Sequence, residues 1–132
     1  MRSTLSVKII LPSMTLLDVE ANMVNLLGQE GVFGVLPGHC KLISNINTGI
    51  VSVFLAGQEE KYFVFSGVAQ VNGEELNILS EFALLLGKET KTEALEQVIL
   101  LEVSLLEHPS ESLQANIILD TINKYQALLK FL

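Results

Sequence analysis

The chain changes its hydrophobic period once, near Gly87, and that change limits the folds open to it. All nine glycines fall at or before Gly87. Up to there, short apolar runs alternate with turn residues; beyond it, apolar residues recur at helical spacing. Leu5-Ser6-Val7-Lys8-Ile9-Ile10-Leu11 begins with alternation, and Gly49 to Leu55 is rich in β-branched and aromatic residues. Lys61 to Phe65 follows across Ala56-Gly57-Gln58-Glu59, a hairpin loop. Val68–Val71 and Glu75–Leu79 flank Asn72-Gly73, a favoured hairpin turn pair, and Phe82 to Leu86 closes the series. Short strands at this spacing predict a sandwich or barrel.

From Thr90 the reading is helical. Thr90-Lys91-Thr92-Glu93 fits a capping box, with Thr90 as cap. Leu95, Val98, Ile99, Val103 and Leu106 fall on one helical face. His108-Pro109-Ser110 interrupts the pattern, because proline disfavours a helical residue before it. A second stripe runs through Leu113, Ile117, Thr121, Tyr125, Leu128 and Leu132, widened by Ile118, Ile122 and Leu129. The expected fold class is therefore α+β: an N-terminal β-sandwich over residues 1–87, then a C-terminal antiparallel two-helix hairpin over 88–132. Both helices are more apolar than one packed side requires. Ordinary packing is the first use for those faces and a docking surface the second.

Composition removes several function classes. The net charge is −7, with a single arginine, Arg2, so no basic face for nucleic acid is expected. No apolar run approaches the ~20 residues of a membrane-spanning helix. No signal peptide is read at the N-terminus, and the lack of a transit-peptide pattern favours a bacterial source. One cysteine, Cys40, rules out an internal disulfide.

The residues with catalytic chemistry are sparse. His39 and Cys40 are adjacent, and on an extended chain neighbours point to opposite faces, a poor arrangement for proton transfer. One cysteine and two distant histidines lack metal-ligand spacing. Glu59-Glu60 and Glu74-Glu75 read as solvated turn charges. Gly31, Gly34 and Gly38 make neither a dinucleotide fingerprint nor a P-loop. No catalytic residue, cofactor or metal is expected. On residues alone the chain is a non-catalytic binding or assembly part.

The stretch Glu30-Gly31-Val32-Phe33-Gly34-Val35-Leu36-Pro37-Gly38-His39 reads as a strand that stops and reverses. With Leu42 and Gly49 following, it resembles the signature of the epsilon subunit of F-type ATP synthase, bacterial type. Phe65-Ser66-Gly67-Val68-Ala69-Gln70-Val71 is similar to that family's second signature, with Val68 in place of a second glycine. Leu79-Ser80-Glu81-Phe82-Ala83 resembles the segment closing its β domain. The resemblance implies a β-sandwich, a helical hairpin and a non-catalytic place in the central rotary stalk, coupling rotation of the c-ring and gamma subunit to ATP synthesis. It implies gamma contact at Leu11, His39 and Ser44, and a loop facing the c-ring at Gln29, Glu30, Gly31 and Val32. Gly34, Pro37 and Gly38 are expected to define turns. It also admits contact between the hairpin and the catalytic alpha/beta hexamer, and implies a peripheral position on the cytoplasmic face of the bacterial inner membrane. The rival reading is a β-sandwich ligand- or peptide-binding module unrelated to the synthase.

The hairpin departs from the family. Some members bind ATP there through Ile/Leu-Asp-x-x-Arg-Ala, whereas Lys88 to Glu96 here holds neither that aspartate nor that arginine. Residues 90–132 carry six acidic residues and three lysines, a net of −3. Family inhibition of ATP hydrolysis relies on basic helix residues, so the expectation is weak inhibition and no regulatory ATP site.

Overall fold

A computed structural model describes residues 4–132 and divides between Leu86 and Gly87 into two compact units. The first holds ten strands: β1 (Leu5–Ile10), β2 (Thr15–Ala21), β3 (Met23–Gly28), β4 (Gly31–Val35), β5 (His39–Ile46), β6 (Gly49–Leu55), β7 (Gln58–Val64), β8 (Gly67–Gly73), β9 (Glu75–Leu79) and β10 (Ala83–Leu85). They run in the order β10-β7-β6-β3-β5-β8-β9-β1-β2, with β4 paired to β3. The ladder has two five-stranded halves, joined at the single pair Gly28 and Ile46. Only β1 and β9 run parallel.

Period-two burial builds the core. Leu5, Val7 and Ile9 on β1, Val24 and Leu26 on β3, Val51 and Val53 on β6, and Leu76 and Ile78 on β9 are all buried in one cluster. The strands β2, β3 and β5 had no counterpart in the sequence reading. Their signal was present: Leu17, Val19 and Ala21 alternate with Asp18 and Glu20, and Val24, Leu26 and Gly28 are the buried set on β3.

Two turn assignments need correction. The β8–β9 turn is not centred on Asn72-Gly73. Asn72 pairs with Glu75, and the two-residue loop is Gly73-Glu74, with Gly73 at φ +61° in the first central position. The β6–β7 loop is two residues, Ala56-Gly57, both at positive φ.

The second unit holds α1 (Thr90–Leu105) and α2 (Leu113–Leu129), which contact one another. The break at His108–Ser110 stands between them as the sequence indicates. The capping box at Thr90 does not form. Thr90 is already helical, and Glu89 is the cap residue without a side-chain bond. The Thr90 hydroxyl instead accepts from the Gly87 amide at 2.7 Å, while the Thr90 amide donates to the Gly87 carbonyl. The side-chain cap lies on α2, where Ser112 Oγ accepts from the Ala115 amide at 3.1 Å.

The helical faces also need correction. Of the stripe read from α1, Val98 lies on the packed side, whereas Leu95, Ile99, Val103 and Leu106 are exposed. The less exposed apolar positions of α1 are Ala94, Val98, Leu101 and Leu105, and those of α2 include Ala115, Ile118, Ile122, Tyr125 and Leu129. Both sets follow heptad spacing. On α2 the broad stripe read from the sequence contains Ile118, Ile122, Tyr125 and Leu129 of this seam together with the exposed Leu113 and Ile117. With apolar residues on several sides of each helix, periodicity alone does not single out the seam.

Candidate functional site

The Glu30–His39 stretch is two reversals around one short strand. At the first, Gly28 pairs with Gly31, leaving Gln29-Glu30 as a two-residue tip, and Gly31 adopts φ +121°. A side chain at Gly28 would sit 2.8 Å from the Phe33 ring. Gln29, Glu30, Gly31 and Val32 all face solvent, and Val32 is 71% exposed. Val35 is fully buried and anchors the strand.

At the second reversal, the His39 amide donates to the Leu36 carbonyl at 3.1 Å. Pro37 occupies the first central position and Gly38, at φ +85°, the second, the requirement of a type II turn. The Gly38 amide donates to the Gly73 carbonyl at 2.7 Å and ties this turn to the β8–β9 turn. Gly34 takes no part in either reversal. It lies inside β4 opposite Asn25, where an added Cβ would meet Asn25 Oδ1 at 3.2 Å.

The structure brings some of the expected contact residues together and separates others. Ser44 lines a cleft of about 380 Å³ with Leu42, Phe33 and the Gln29–Val32 tip. It therefore neighbours the loop expected to face the c-ring. Leu11 lines a second cleft of about 500 Å³ with Ile10, Phe65, Gly67 and Leu79. His39 is at the far end of the sheet, opposite Gly73. Six residue steps along the ladder separate the levels of Leu11 and His39, about 20 Å at ~3.3 Å per residue. The three residues do not form one contact point; a partner touching all of them must lie along the sheet.

The Leu11 cleft has a rigid floor that the sequence reading did not assign. Ser66 adopts φ +44°, and Gly67 follows where a Cβ would run into the Leu79 carbonyl. Ser80 is buried, with Oγ 3.1 and 3.0 Å from the carbonyls of Phe65 and Phe82, and accepts from the Phe82 amide at 3.3 Å. One hydroxyl thus staples the segments before β8 and before β10. The Ser-Gly and Leu-Ser-Glu motifs mark this staple. Beside it on the outer sheet face, Leu79 is partly exposed, and Ile43 is 74% exposed on β5.

The chemistry available is that of contact. His39 Nδ1 donates to the Cys40 carbonyl at 2.8 Å, and Cys40 is exposed. Among the described residues no three His, Cys, Asp or Glu side chains converge to hold a metal ion. Tyr62 is buried, and its hydroxyl donates to Glu60 Oε2 at 2.8 Å. Burial first, then the Glu60 hydrogen bond and charge, hold its proton well above the usual tyrosine range. This pair belongs to the core edge.

The model for the β-sandwich domain of the ATP synthase delta/epsilon chain matches residues 4–85. The chain belongs to this family. An ATP synthase epsilon chain of Rickettsia africae (strain ESF-5) is 39% identical over 87 residues, covering 64% of this chain and 78% of that protein. Among solved structures, a chain of the Euglena gracilis mitochondrial ATP synthase (OSCP/F1/c-ring, rotational state 1) aligns with TM-score 0.62 and 22% identity, over 97% of this chain and 82% of that one. A chain of the Tetrahymena thermophila mitochondrial ATP synthase central stalk and c-ring aligns with TM-score 0.57 and 8% identity, over 95% and 96%. At such identities the structural likeness carries the fold alone. As an epsilon-family member the chain is an accessory subunit of ATP synthase, and the rival reading, an unrelated ligand- or peptide-binding module, finds no support among these relatives. Among the described residues no helix is long and apolar enough to cross a membrane.

Proposed function

We propose that the chain is the non-catalytic central-stalk subunit that couples rotation of the c-ring and gamma subunit to ATP synthesis. The family match over residues 4–85 carries this reading. The sandwich offers such an adaptor a sheet face for one partner and, adjoining it at Ser44, an exposed tip for the other. Gamma lies along the sheet, meeting Leu11 at the 500 Å³ cleft, Ser44 and, at the far end, His39. The c-ring meets the Gln29–Val32 tip. Its exposed Val32 offers an apolar contact where a charged residue would offer a salt bridge. The complex sits on the cytoplasmic face of a bacterial inner membrane, with this chain peripheral to it.

The hairpin inhibits ATP hydrolysis weakly and binds no regulatory ATP. Its net charge of −3 and the lack of any arginine after Arg2 support this, because an acidic catalytic surface would repel it.

The test is reconstitution with gamma, the c-ring and the catalytic hexamer. The full chain co-purifies with gamma and restores proton-coupled ATP synthesis; failure to bind gamma overturns the reading. Leu11→Glu weakens gamma binding about tenfold by placing a charge in an apolar contact. Val32→Glu keeps gamma binding and lowers coupling at the ring. A chain ending at Gly87 changes ATPase rate by less than about twofold, as expected where steering has the wrong sign. A large rise on truncation sinks the weak-inhibition proposal and leaves the stalk assignment standing.

A further inference from the structure

The exposed face of α1 has a chemistry that the stalk reading does not use. Leu95, Ile99, Val103 and the cap residue Leu106 follow one another at spacings of four, four and three along three helical turns. They are 46, 61, 55 and 86% exposed. At 100° per residue they form one stripe, separate from the Ala94–Leu105 seam. Four such side chains clustered in one stripe are an apolar anchor of the kind that dominates docked helix interfaces.

The rim of the stripe is acidic. On the helical wheel Glu102 borders one edge, and Glu96 and Glu107 border the other; all three are exposed. Lys91, in the first turn, is the sole basic residue of α1. A separate feature points the same way. The last turn of α1 carries no basic residue to meet the negative end of the helix dipole, and Glu102 and Glu107 add to that negative potential.

We infer that this face docks an amphipathic helix whose apolar stripe is rimmed by lysine or arginine. The basic rim pairs with Glu96, Glu102 and Glu107 and complements the C-terminal end of α1. A second copy of this chain is the wrong occupant, because its own hairpin is net −3 and would set like charges against each other. An acidic protein surface or an anionic bilayer is disfavoured for the same reason. The inference does not depend on the stalk assignment, and either can fail without the other.

The experiment uses the full chain and two synthetic helical peptides with the same leucine stripe, one rimmed by lysine and arginine, the other by glutamate. Fluorescence anisotropy reads the affinity of each at low and high salt. The basic-rimmed peptide is expected to bind about tenfold or more tightly than the acidic one, and to weaken as salt screens the rim. Glu102→Gln with Glu107→Gln reduces both that affinity and its salt dependence. Ile99→Gln with Val103→Gln abolishes binding, whereas Ile43→Gln, even more exposed but on the sandwich, leaves it unchanged. Helicity by circular dichroism confirms that each variant is folded. Amide chemical-shift mapping of the unaltered chain gives an answer free of any variant: shifts confined to Leu95–Glu107 support the inference. Equal binding of the two peptides, no binding of either, shifts mapping elsewhere, or self-association of the chain through the stripe in sedimentation each overturn it.

Discussion

The sandwich and the helical unit draw on the same apolar residues and use them in opposite ways. In the sandwich, Leu5, Val7, Ile9, Leu76 and Ile78 are completely buried in one cluster. In the hairpin, Leu95, Ile99, Val103, Leu106, Leu113 and Ile117 remain exposed. Apolar content is therefore a poor guide to what holds each unit together. A strand has two faces, and a glycine-defined turn fixes which residues reach the core. A helix has a continuous surface, and apolar residues on several sides leave its packed side unspecified. The family model ends at residue 85, so its match covers the unit with tight backbone demands. The charge departure from the family lies in the other unit.

The largest expected effect tests that contrast at the backbone. Gly67→Ala drives a methyl into the Leu79 carbonyl at the β8–β9 step, where both partners are main chain and neither can move away. It should cost about 3 kcal/mol or more, at or above the upper end for core overpacking, because the clash is with main chain. The matching change in the other unit, Gly87→Ala, meets nothing nearer than Thr90 Oγ1 at 4.0 Å and should stay within about 0.5 kcal/mol. Urea unfolding of both variants checks this. A mild Gly67→Ala would mean that the Ser66–Gly67 floor is not rigid, and the contact region proposed for gamma would lose its stiffness.

One isoleucine from each unit sharpens the comparison at the side chain. Ile78→Ala empties a fully buried site and should cost about 3 kcal/mol. Ile99→Ala removes a side chain that is largely in water and should cost less than about 0.5 kcal/mol in the isolated chain. Equal losses would show that the α1 stripe is covered in solution, and the docking inference would fail with the comparison.

These two residues also show how far the sequence could be read. Ile78 lies in Glu75–Leu79, where β residues follow a turn glycine and alternation assigns it inward. Its partner Ala69 lies across the hairpin that the sequence indicates, missed in register only because the turn is centred on Gly73-Glu74. Its partner Ile9 is not legible, because pairing β1 parallel to β9 is a long-range choice with no local signal. Ile99 shares a convincing helical stripe, yet a stripe does not say whether its partner is in the same chain. Among the candidate contact residues, the turn at Pro37-Gly38 followed from local backbone chemistry. The separation of Leu11 from His39, and the closeness of Ser44 to the Gln29–Val32 tip, came from strand order. Gly34 reads as a turn residue because Gly31 and Pro37 stand three residues to either side, whereas its role is close approach to Asn25. The Thr90 capping box had the right letters, but the helix starts one residue early and the hydroxyl serves Gly87 instead.

Polar contacts divide the units in a smaller way. Tyr62→Phe removes the buried bond to Glu60 and should cost about 1 kcal/mol at neutral pH. The pH dependence has a definite sign. The folded pKa of Tyr62 is raised, so the folded chain keeps this proton after the unfolded chain loses it near pH 10. Its contribution is complete below that pH and declines as pH rises above it. The stability of the unaltered chain should therefore fall with alkaline pH, and Tyr62→Phe should flatten that fall. In the hairpin, Lys124 pairs with Asp120 at 3.1 Å, and the Asp120 side chain is mostly in water. Asp120→Asn should change stability by less than about 0.5 kcal/mol, an effect that salt erases. Urea titrations across pH and ionic strength separate the two behaviours.

Two backbone changes of modest size ask whether the units unfold as one. Ala56 in the β6–β7 turn sits at φ +48°, and Glu111 in the loop between the helices sits at φ +64°. Both pay for a left-handed backbone that glycine adopts freely. Ala56→Gly and Glu111→Gly should each stabilise by about 0.5–1 kcal/mol, the local relief exceeding the entropy that glycine adds to the unfolded chain. The size is alike, so the informative quantity is where each gain appears. If the hairpin is held by little beyond its narrow seam, Glu111→Gly shifts only an early loss of helical circular dichroism. Ala56→Gly then shifts only the later cooperative melting of the sheet. A single transition moved by both substitutions would show that the hairpin shares the cooperativity of the sandwich. In that case the exposed leucines of α1 belong to a unit as firmly held as the core.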